Sequence, residues 1–456
     1  MILTVHRGST QIGGSCVELR STCGARILLD VGMPLTQPDG SEWPRGTMTR
    51  PGAELRREGV LPGIDGLYAD SSPGVSALVL SHAHLDHYGL VHHVHPDVPV
   101  YGSRGTIAML QASKLFVPDA ATPTNLRELP AGDAVSIPPF SVRGIPVDHA
   151  APDSRALLVE ADGQRVLYSG DLRAHGRQRH LFDALPEAAG PIDVLVLEGT
   201  TVGQPQGSHG FADEAEVERR LSEVLQRDDN LVVVIASGQN IDRAISVYRA
   251  ALAAGRELVI DPYQAYILMT VKEICPEAPQ FDAPSVRVKF IRYHVEKLRE
   301  AGLWGLACQM SRAGKVSAGQ LAANPRGFVY LARSSGATVA LLRYLARTTC
   351  PTVVWSQWSG YLAKGGPVPC FCVEHGIDPL ILHSGGHAHP EDLADLARRL
   401  RPRAVVPIHT EAASQFATFI PNVRVVTDGE PVEVASLTVD YDGPPIGVVR
   451  GPLVEC

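Results

Sequence analysis

The chain has 456 residues, more than one hydrophobic core usually organises, so two globular units are expected. Apolar residues make up 45% and charged residues 20%, which is typical of globular proteins and unlike disordered or collagen-like chains. No apolar run is long enough for a signal peptide or a membrane-spanning helix, so we expect no membrane association and a cytoplasmic location. The net charge of −8 argues against a nucleic-acid binder that is basic over its whole surface.

Predicted strands dominate the first part of the chain, at residues 26–30, 76–81, 140–147, 156–160, 165–169 and 193–197. Asp162-Gly163 is typical of a hairpin turn. Beyond residue 203, strands alternate with helices, which predicts a parallel sheet flanked by helices. The helices of this part are predicted at 214–226, 241–254, 264–274 and 338–346, and the strands at 231–236, 257–260, 327–332 and 352–355. A helix at 390–400 and a strand at 404–408 follow.

The charge is unevenly distributed, because the middle of the chain is locally basic. Between residues 283 and 373 the only acidic residues are Glu296 and Glu300. The lysines and arginines of the same segment are Arg287, Lys289, Arg292, Lys297, Arg299, Arg312, Lys315, Arg326, Arg333, Arg343, Arg347 and Lys364. Two interpretations stay open: a surface that binds a polyanion, or a solvated face balanced by acidic neighbours.

Metal-binding residue types follow the predicted strand at 76–81. They are His82, His84, Asp86 and His87. Residues two apart in an extended stretch point the same way, so His82 and His84 can reach one ion, while Asp86 and His87 can reach a second. Imidazole and carboxylate donors suit Zn²⁺, with Mn²⁺ the main competitor. The nearby histidines His92, His93 and His95 are interpreted as non-ligands.

The His-x-His-x-Asp-His pattern resembles the signature of the metallo-β-lactamase superfamily, and the resemblance extends over nearly the whole chain. In the family's order, Asp30 matches the carboxylate that holds the metal loop and His149 the next metal histidine. Asp171 matches the carboxylate that bridges the metals, and His409 the last histidine. The resemblance implies one metal site of His82, His84, His149 and Asp171 and a second of Asp86, His87, Asp171 and His409, with two Zn²⁺ as cofactors.

Within the superfamily, the chain resembles the β-CASP branch, which includes ribonuclease J and the polyadenylation-specificity-factor endonuclease. Glu198 occupies the acidic motif of that branch, and His387, in Ser384-Gly385-Gly386-His387, occupies its second motif. The implied fold is α/β: a metallo-β-lactamase αββα sandwich with an inserted α/β β-CASP domain. The implied domains are 1–203 and 376–456 for the sandwich and 204–375 for the insertion.

The branch implies a nuclease that hydrolyses phosphodiester bonds with two metal ions. Asp30, Asp86, Glu198 and His387 are its expected catalytic residues; His387 would stabilise the scissile phosphate or protonate the leaving oxygen, and Glu198 would orient a histidine. His409 favours RNA over DNA, because the RNA-processing members of the branch carry histidine there. DNA cleavage, action on a small ester, lactone or phosphodiester, and a catalytically silent scaffold are the alternatives. Endonuclease against exonuclease action stays open, as does a homodimer.

Substrate contacts are expected at two loops of the insertion and at the second motif. The candidates are Ser237, Asn240, Arg333, Ser334, Ser335, Ser384 and Gly385. The turn at 236–243 is interpreted either as a phosphate-binding helix start or as a helix N-cap.

The chain also departs from the family pattern. The second motif has two glycines before His387 and is crowded by His383 and His389, so either of these could take the catalytic place. Residues 332–337 replace the ribonuclease J loop for a 5′-terminal phosphate, so processive 5′-exonuclease action is not implied. The sequence runs only to Cys456 after His409, so we expect no C-terminal domain of the ribonuclease J type.

Overall fold

The computed structural model describes residues 1–44, 46–116, 122–205, 210–347 and 350–438. Its strands are β1 (Ile2–Arg7), β2 (Cys16–Arg20), β3 (Arg26–Leu29), β4 (Ala77–Val79), β5 (Val100–Gly102), β6 (Leu126–Glu128), β7 (Ala134–Ile137), β8 (Phe140–Pro146), β9 (Arg155–Ala161), β10 (Gln164–Tyr168), β11 (Val194–Glu198), β12 (Val232–Ile235), β13 (Glu257–Ile260), β14 (Val286–Val288), β15 (Phe328–Ala332), β16 (Thr352–Trp355), β17 (Leu380–Ile381), β18 (Ala404–Ile408) and β19 (Pro431–Glu433).

Its α-helices are α1 (Gly52–Arg57), α2 (Leu85–Tyr88), α3 (Arg104–Phe116), α4 (Arg179–Ala189), α5 (Glu214–Arg227), α6 (Ile241–Ala253), α7 (Pro262–Thr270), α8 (Arg292–Glu300), α9 (Trp304–Gly314), α10 (Ala318–Ala323), α11 (Gly336–Leu345), α12 (Ser359–Ala363), α13 (Pro367–His375), α14 (Pro390–Leu400) and α15 (Val434–Leu437). Short 3-10 turns lie at Thr47–Thr49, Val91–His93, Pro325–Gly327 and Ala413–Thr418. Among the residues described, no helix is both long and apolar enough to cross a membrane.

Two sheets pack face to face and form the core of the sandwich. The first has the strand order β19-β1-β2-β3-β4-β5-β6, and the second has the order β18-β11-β10-β9-β8-β7. Side chains alternate between the faces of each strand, so Leu29 of β3 packs against the second sheet in one apolar cluster that includes Val159 and Val196. Helices cover the outer faces, with α3 on the first sheet and α4 and α14 on the second. The fold is therefore the expected αββα sandwich.

The third sheet is parallel throughout and has the order β14-β13-β15-β12-β16-β17. Helices α5, α6 and α7 pack on one face, and α10, α11 and α13 pack on the other. The parallel, helix-flanked sheet predicted from the alternating pattern is confirmed. The carboxyl ends of its strands meet at one edge, so the loops after β12, β13, β15, β16 and β17 lie together.

Along the sequence, the third sheet lies between strands that are hydrogen-bonded neighbours in the sandwich. Strand β18 pairs in parallel with β11, although the whole third sheet lies between them in the chain. Strand β19 likewise pairs with β1. The expected domain limits of 1–203, 204–375 and 376–456 rest on this arrangement and stay a prediction, since residues 206–209 and 439–456 lie outside the described residues. The third sheet itself runs to Ile381, beyond the expected limit at 375.

Most predicted elements agree with the structure to within two or three residues. Asp162 and Gly163 have φ values of 54° and 71°, which is the left-handed conformation that the predicted hairpin turn requires. The helix expected at 264–274 instead spans Pro262–Thr270. Asp261 fixes its start, because the Asp261 side chain accepts a hydrogen bond from the amide of Gln264 and Pro262 suits the first helical turn.

Candidate metal centre

The predicted metal ligands all lie just beyond the ends of strands. His82 and His84 occupy the extended stretch after β4, and Asp86 and His87 lie in the first turn of α2. The remaining ligands follow strands β8, β10 and β18; they are His149, Asp171 and His409. Since β10, β11 and β18 run parallel, these strand ends meet at one edge of the second sheet. Side chains that are distant in sequence are thereby brought together.

The donor atoms of the predicted ligands form two overlapping groups around Asp171: His82, His84, His149 and Asp171, and Asp86, His87, Asp171 and His409. A third group joins Asp171 and His409 to Glu198 and His387, and within each group all donor atoms lie within 4.8 Å of one another. The Asp171 Oδ2 atom is 3.6 Å from the His82 Nε2 atom and 3.2 Å from the His87 Nε2 atom. In the first group the His84 Nδ1 and His149 Nε2 atoms are 3.1 Å apart. In the second group the His409 Nε2 and Asp86 Oδ2 atoms are 3.2 Å apart.

Several buried atoms of this cluster have no hydrogen-bond partner among the described residues. They are the Nε2 atoms of His82 and His87 and both carboxylate oxygens of Asp171. Leaving one such atom unsatisfied costs about 1–3 kcal/mol, so proteins rarely bury four of them together without a ligand. Metal ions would complete the coordination of these atoms. The donor set therefore fits a metal-binding site.

The protonation states of the histidines also suit metal binding, because only neutral imidazole coordinates a metal. Burial lowers the pKa of His82 and His149 well below the usual value and lowers that of His84 to about 4. Burial alone would lower the pKa of His87 as well, but the carboxylates of Asp171 and Asp30 outweigh it and raise this pKa. A metal ion at His87 would therefore have to displace a proton from its imidazole.

Asp30 holds the loop that carries the first four predicted metal ligands, residues 82–87, in place. Its backbone adopts a left-handed φ of 59°, and its Oδ2 atom lies 2.8 Å from the His87 Nδ1 atom. The same carboxylate accepts hydrogen bonds from the Ser81 amide at 2.7 Å, the Ser81 hydroxyl at 2.6 Å and the Tyr168 hydroxyl at 2.8 Å. When the His87 Nδ1–H group donates to Asp30, the Nε2 atom is left free for a metal. Sequence reasoning missed Ser81 and Tyr168, although Ser81 directly precedes His82.

Two further ligands have orienting partners. The His149 Nδ1 atom lies 2.7 Å from the Gly386 carbonyl oxygen, and the His409 Nδ1 atom lies 2.8 Å from the Thr200 hydroxyl. The second glycine of the crowded motif thus supplies an acceptor for a metal ligand. Thr200 was also missed, and its place two residues after Glu198 was the only sequence signal for it.

His387 is the histidine of the second motif that reaches the cluster. Its Nδ1 atom lies 3.3 Å from the Glu198 Oε1 atom and 3.7 Å from the Asp171 Oδ2 atom. Against the effect of burial, these two carboxylates raise the pKa of His387 to about 9. His383 instead lies 3.5 Å from the Arg243 guanidinium, and His389 begins α14 and stacks on another histidine. The geometry therefore favours His387 for the catalytic place.

Glu198 is fully buried at the end of β11. Its carboxylate accepts hydrogen bonds from the Thr200 amide at 3.0 Å and from the Leu172 amide at 3.4 Å, so its position is fixed from both sides.

Of the neighbouring histidines interpreted as non-ligands, His93 lies 2.8 Å from the Met48 carbonyl oxygen.

Comparison with known proteins shows which proteins this chain is similar to. The model of the β-lactamase superfamily domain matches residues 58–223. Ribonuclease J from Sinorhizobium meliloti is 24% identical, over 85% of this chain and 68% of the relative. Ribonuclease J from Mycobacterium tuberculosis is 24% identical over 76% of this chain and 62% of the relative, and Ribonuclease J2 from Bacillus subtilis is 22% identical over 78% and 62%. Residues 58–223 are therefore assigned to the β-lactamase superfamily, and the chain as a whole is similar to ribonuclease J.

The chain spans about two thirds of the length of these relatives. A crystal structure of a protein of unknown function from Enterococcus faecalis V583 has the same fold. Its TM-score is 0.72 at 20% sequence identity, and the match covers 94% of this chain and 99% of that one.

The expected substrate contacts at the loops of the third sheet include two helix caps. Asn240 accepts a hydrogen bond from the Arg243 amide at 2.9 Å and begins α6, and Ser335 accepts one from the Thr338 amide at 3.2 Å and begins α11. The N-cap interpretation of the turn at 236–243 is thus confirmed. The Ser237 hydroxyl accepts a hydrogen bond from a nearby amide, as does that of Ser334. Phosphate binding at these loops stays a prediction.

Arg333, the next expected contact, lies at the same sheet edge. Its guanidinium carbon is 4.1 Å from the centre of the Tyr263 ring, and one of its nitrogens is 3.0 Å from the His294 Nε2 atom. Its buried Nε atom has no hydrogen-bond partner among the described residues. Carboxylates pair with five of the twelve basic residues of this segment, namely Arg287, Arg292, Lys297, Arg326 and Arg343. The segment is thus partly balanced, and both interpretations of it stay open.

The last two expected contacts, Ser384 and Gly385, take part in a buried set of charges between the sandwich and the third sheet. We call this set the junction network; its charged members are Asp148, Arg173, Glu214, Asp242 and Arg243. Ser384 is only 1% exposed and donates a hydrogen bond to Glu214 at 3.1 Å. The Gly385 carbonyl oxygen accepts a hydrogen bond from Arg173 at 3.2 Å. Ser384 is therefore not positioned to contact a substrate in this structure.

Proposed function

We propose that this protein is a two-metal ribonuclease that hydrolyses phosphodiester bonds of single-stranded RNA. The observation that carries the proposal is the pair of four-ligand groups that share Asp171 and lie beside His387. The relatives named Ribonuclease J support RNA as the substrate. Two Zn²⁺ ions are the expected cofactors, because the donors are imidazole nitrogens and carboxylate oxygens, and Mn²⁺ is the competitor.

Bound in this site, the two ions would supply a water nucleophile at neutral pH and would offset charge on the attacked phosphate. The residues of the chain provide the rest of the chemistry. Asp171 lies between the two ligand groups, and Asp30 fixes the ring of His87. These contacts hold the ligands in place before a substrate arrives, which lowers the reorganisation needed during the reaction.

His387 is suited to act as the general acid. Glu198 accepts from its Nδ1 atom at 3.3 Å, and the Glu198 and Asp171 carboxylates raise the pKa of this imidazole, which favours its protonated form. A protonated imidazole can stabilise the scissile phosphate or give its proton to the leaving oxygen. Glu198 is a positioning residue in this scheme, because it acts on the substrate only through His387.

The decisive experiment incubates the purified protein with Zn²⁺ or Mn²⁺ and end-labelled single-stranded RNA or DNA, followed by analysis of product lengths. We expect metal-dependent cleavage of RNA in preference to DNA. Internal fragments would identify an endonuclease, and single nucleotides released from one end would identify an exonuclease. Hydrolysis of a small ester, lactone or phosphodiester without any cleavage of RNA would contradict the proposed substrate.

The role of His387 is tested with matched variants. His387→Ala should lower kcat by about 10²- to 10⁴-fold, the usual contribution of general acid catalysis, with metal content unchanged. His389→Ala is the control, because this neighbouring histidine begins α14 and lies outside the two ligand groups. Equal losses in both variants would argue against the assignment to His387.

A cytoplasmic location and a homodimer also stay predictions. Sedimentation of the purified chain at several concentrations, and fractionation of cells that express it, measure the two directly.

A further inference from the structure

Two exposed aromatic side chains stand together on the short helix α12. Trp358 is 41% exposed and Tyr361 is 48% exposed. Their ring centres are 5.4 Å apart and the ring planes meet at 88°, an edge-to-face arrangement. Such a pair leaves ring faces open for a further planar group. Neighbouring exposed aromatic rings on a protein surface commonly mark a binding site.

The aromatic pair lies at the sheet edge that carries the second motif. Strand β16 ends at Trp355, three residues before Trp358, and its parallel neighbour β17 ends at Ile381, six residues before His387. Both segments leave the sheet at the same edge, and the Ser356 hydroxyl, just after β16, donates a hydrogen bond to the Leu382 carbonyl oxygen, just after β17, so the loops that lead to α12 and to His387 start side by side. Partial burial of the phenol raises the pKa of Tyr361, although 48% of the side chain is exposed, and the carboxylates of Asp86 and Glu42 raise it further.

Apolar side chains continue this surface on the sandwich side of the metal ligands. Leu85, which is 38% exposed, precedes Asp86 in the chain. Leu35 is 47% exposed, and Leu35 and Asp86 both border the same glycine, Gly13. The aromatic pair and these two leucines therefore lie around the Asp86 side of the cluster.

The indole of Trp358 is held in position. A Cβ atom on Gly360 would lie 2.3 Å from the indole carbons, so the ring lies directly over this glycine. The Trp358 carbonyl oxygen accepts a hydrogen bond from the Trp355 indole at 3.3 Å, which fixes the start of α12. A ring that is fixed before binding loses little entropy when a planar ligand stacks on it.

The segment that carries the pair has no acidic residue of its own and one nearby lysine. No aspartate or glutamate occurs from residue 351 to residue 373, and Lys364 lies one helical turn beyond Tyr361. Aromatic rings with a nearby cation are the usual surface for unpaired nucleic-acid bases and their backbone. A purely apolar partner would make no favourable polar contact with the metal ligands beside the pair.

We propose that Trp358 and Tyr361 form a stacking subsite for unpaired bases of the RNA strand whose phosphate reaches the metal ligands. The inference rests on the proposed ribonuclease function and adds the way in which the strand is held. Stacking accepts every base but requires an unpaired one, so the subsite selects single strands without selecting a sequence.

The test measures binding of a fluorescent single-stranded RNA decamer to the metal-free protein by anisotropy, where no turnover occurs, and KM with the metal-loaded protein. Trp358→Ala and Tyr361→Ala should each weaken binding roughly 5- to 150-fold, the usual range for one stacked base. KM should rise while kcat stays the same. Trp358→Phe should retain most of the affinity, because an aromatic face remains.

Two variants separate stacking from general damage to the surface. Gly360→Ala keeps both rings but forces the indole away from its position, so binding should weaken. Trp304→Ala is the matched control: this indole is 47% exposed and lies on α9, which packs beside β14 at the opposite end of the sheet. RNA with abasic positions should bind the wild type and Trp358→Ala equally.

The outcomes distinguish this inference from the proposed function. RNA cleavage by the wild type, with unchanged affinity in Trp358→Ala and Tyr361→Ala, would overturn the stacking subsite and leave the ribonuclease proposal standing. No binding or cleavage of RNA by the wild type would overturn both. Loss of self-association in these variants, with RNA affinity unchanged, would assign the pair to a protein interface and would also overturn the inference.

Discussion

The metal-ligand cluster and the junction network are both buried and charged, but their polar atoms are satisfied differently. In the junction network, Arg243 donates to both carboxylate oxygens of Glu214, at 2.7 and 3.0 Å, and to the Ser356 carbonyl oxygen at 2.8 Å. In the metal cluster, both oxygens of Asp171 lack a hydrogen-bond partner among the described residues. Buried polar groups without partners are rare, so they indicate a ligand site, whereas a complete network indicates a structural role.

This difference also decides the role of the charged residues at the turn 236–243, which belong to the junction network. Asp242 and Arg243 follow the turn at 236–243, where phosphate binding was one interpretation. Both side chains instead bind partners in the protein, since Asp242 pairs with Arg173 and Arg243 with Glu214. A charged residue near a helix start therefore has to be assigned from its contacts, not from its position alone.

Asp171→Asn should have the largest effect on activity of any single substitution in the two clusters. The amide keeps the shape of the side chain but removes the charge shared by the two ligand groups. Activity should fall on the order of 10⁴-fold or more, as when an enzyme loses the activation of its nucleophile. Metal content, measured by elemental analysis, should fall below that of the wild type. Full activity with full metal content would show that the cluster is not the reaction centre.

Arg243→Met should destabilise the protein by about 3–5 kcal/mol, because it leaves Glu214 buried without a cation. Urea unfolding of the metal-free protein measures this change. Metal content per folded molecule should stay at the wild-type level, since Arg243 belongs to neither ligand group. The double variant Arg243→Met, Glu214→Leu should recover part of the loss. A loss of metal without a loss of stability would reverse the assignment of the two clusters.

The Arg243–Glu214 ion pair also predicts how the stability of the fold depends on pH. Burial alone would raise the pKa of Glu214, but Arg243 outweighs burial and lowers this pKa to about 2. The ion pair therefore stabilises the fold fully above the ordinary carboxyl pKa of 4.5, and this contribution is lost as the pH falls towards 2. Urea unfolding from pH 6 to pH 2 should show a smaller loss in Glu214→Gln than in the wild type.

The ligand set could be proposed from the sequence because each ligand follows a strand in a recognisable order. The loop at His82–His87 is local, and His149, Asp171 and His409 each end a predictable apolar strand. The parallel third sheet was predictable for the same reason: its strands and helices alternate with clear hydrophobic patterns.

The partners of these residues could not be predicted, because they depend on contacts between distant segments. Nothing local to Thr200 shows that it faces His409, and nothing local to Ser384 shows that it is buried against Glu214. The short helix α12 lacks a periodic pattern, so neither its position nor the pairing of Trp358 with Tyr361 follows from the sequence. Such contacts are products of tertiary packing.

Thr200→Val should have an intermediate effect, since it removes the hydroxyl that lies 2.8 Å from the His409 Nδ1 atom. Loss of such an orienting partner usually lowers metal affinity by about 10- to 100-fold. Competition with a zinc chelator measures the affinity. Thr201→Val is the matched control, because the Thr201 hydroxyl donates to the Ala388 carbonyl oxygen and to no metal ligand. Equal losses in the two variants would indicate general damage to this loop.

Arg326→Gln should have the smallest effect. The Arg326–Asp229 pair is 3.0 Å long, and its side chains are 67% and 80% exposed, so water screens the attraction. The stability should change by less than about 1 kcal/mol. If the basic segment is a balanced face, the salt dependence of RNA binding should also be unchanged, whereas each phosphate contact that is lost lowers the slope by about one. Arg333→Gln provides the contrast, since no carboxylate pairs with Arg333 in the described part of the chain and it lies at the sheet edge with α12. A lower slope in Arg326→Gln would instead show that this arginine exchanges Asp229 for a phosphate, and the segment would then be a binding surface.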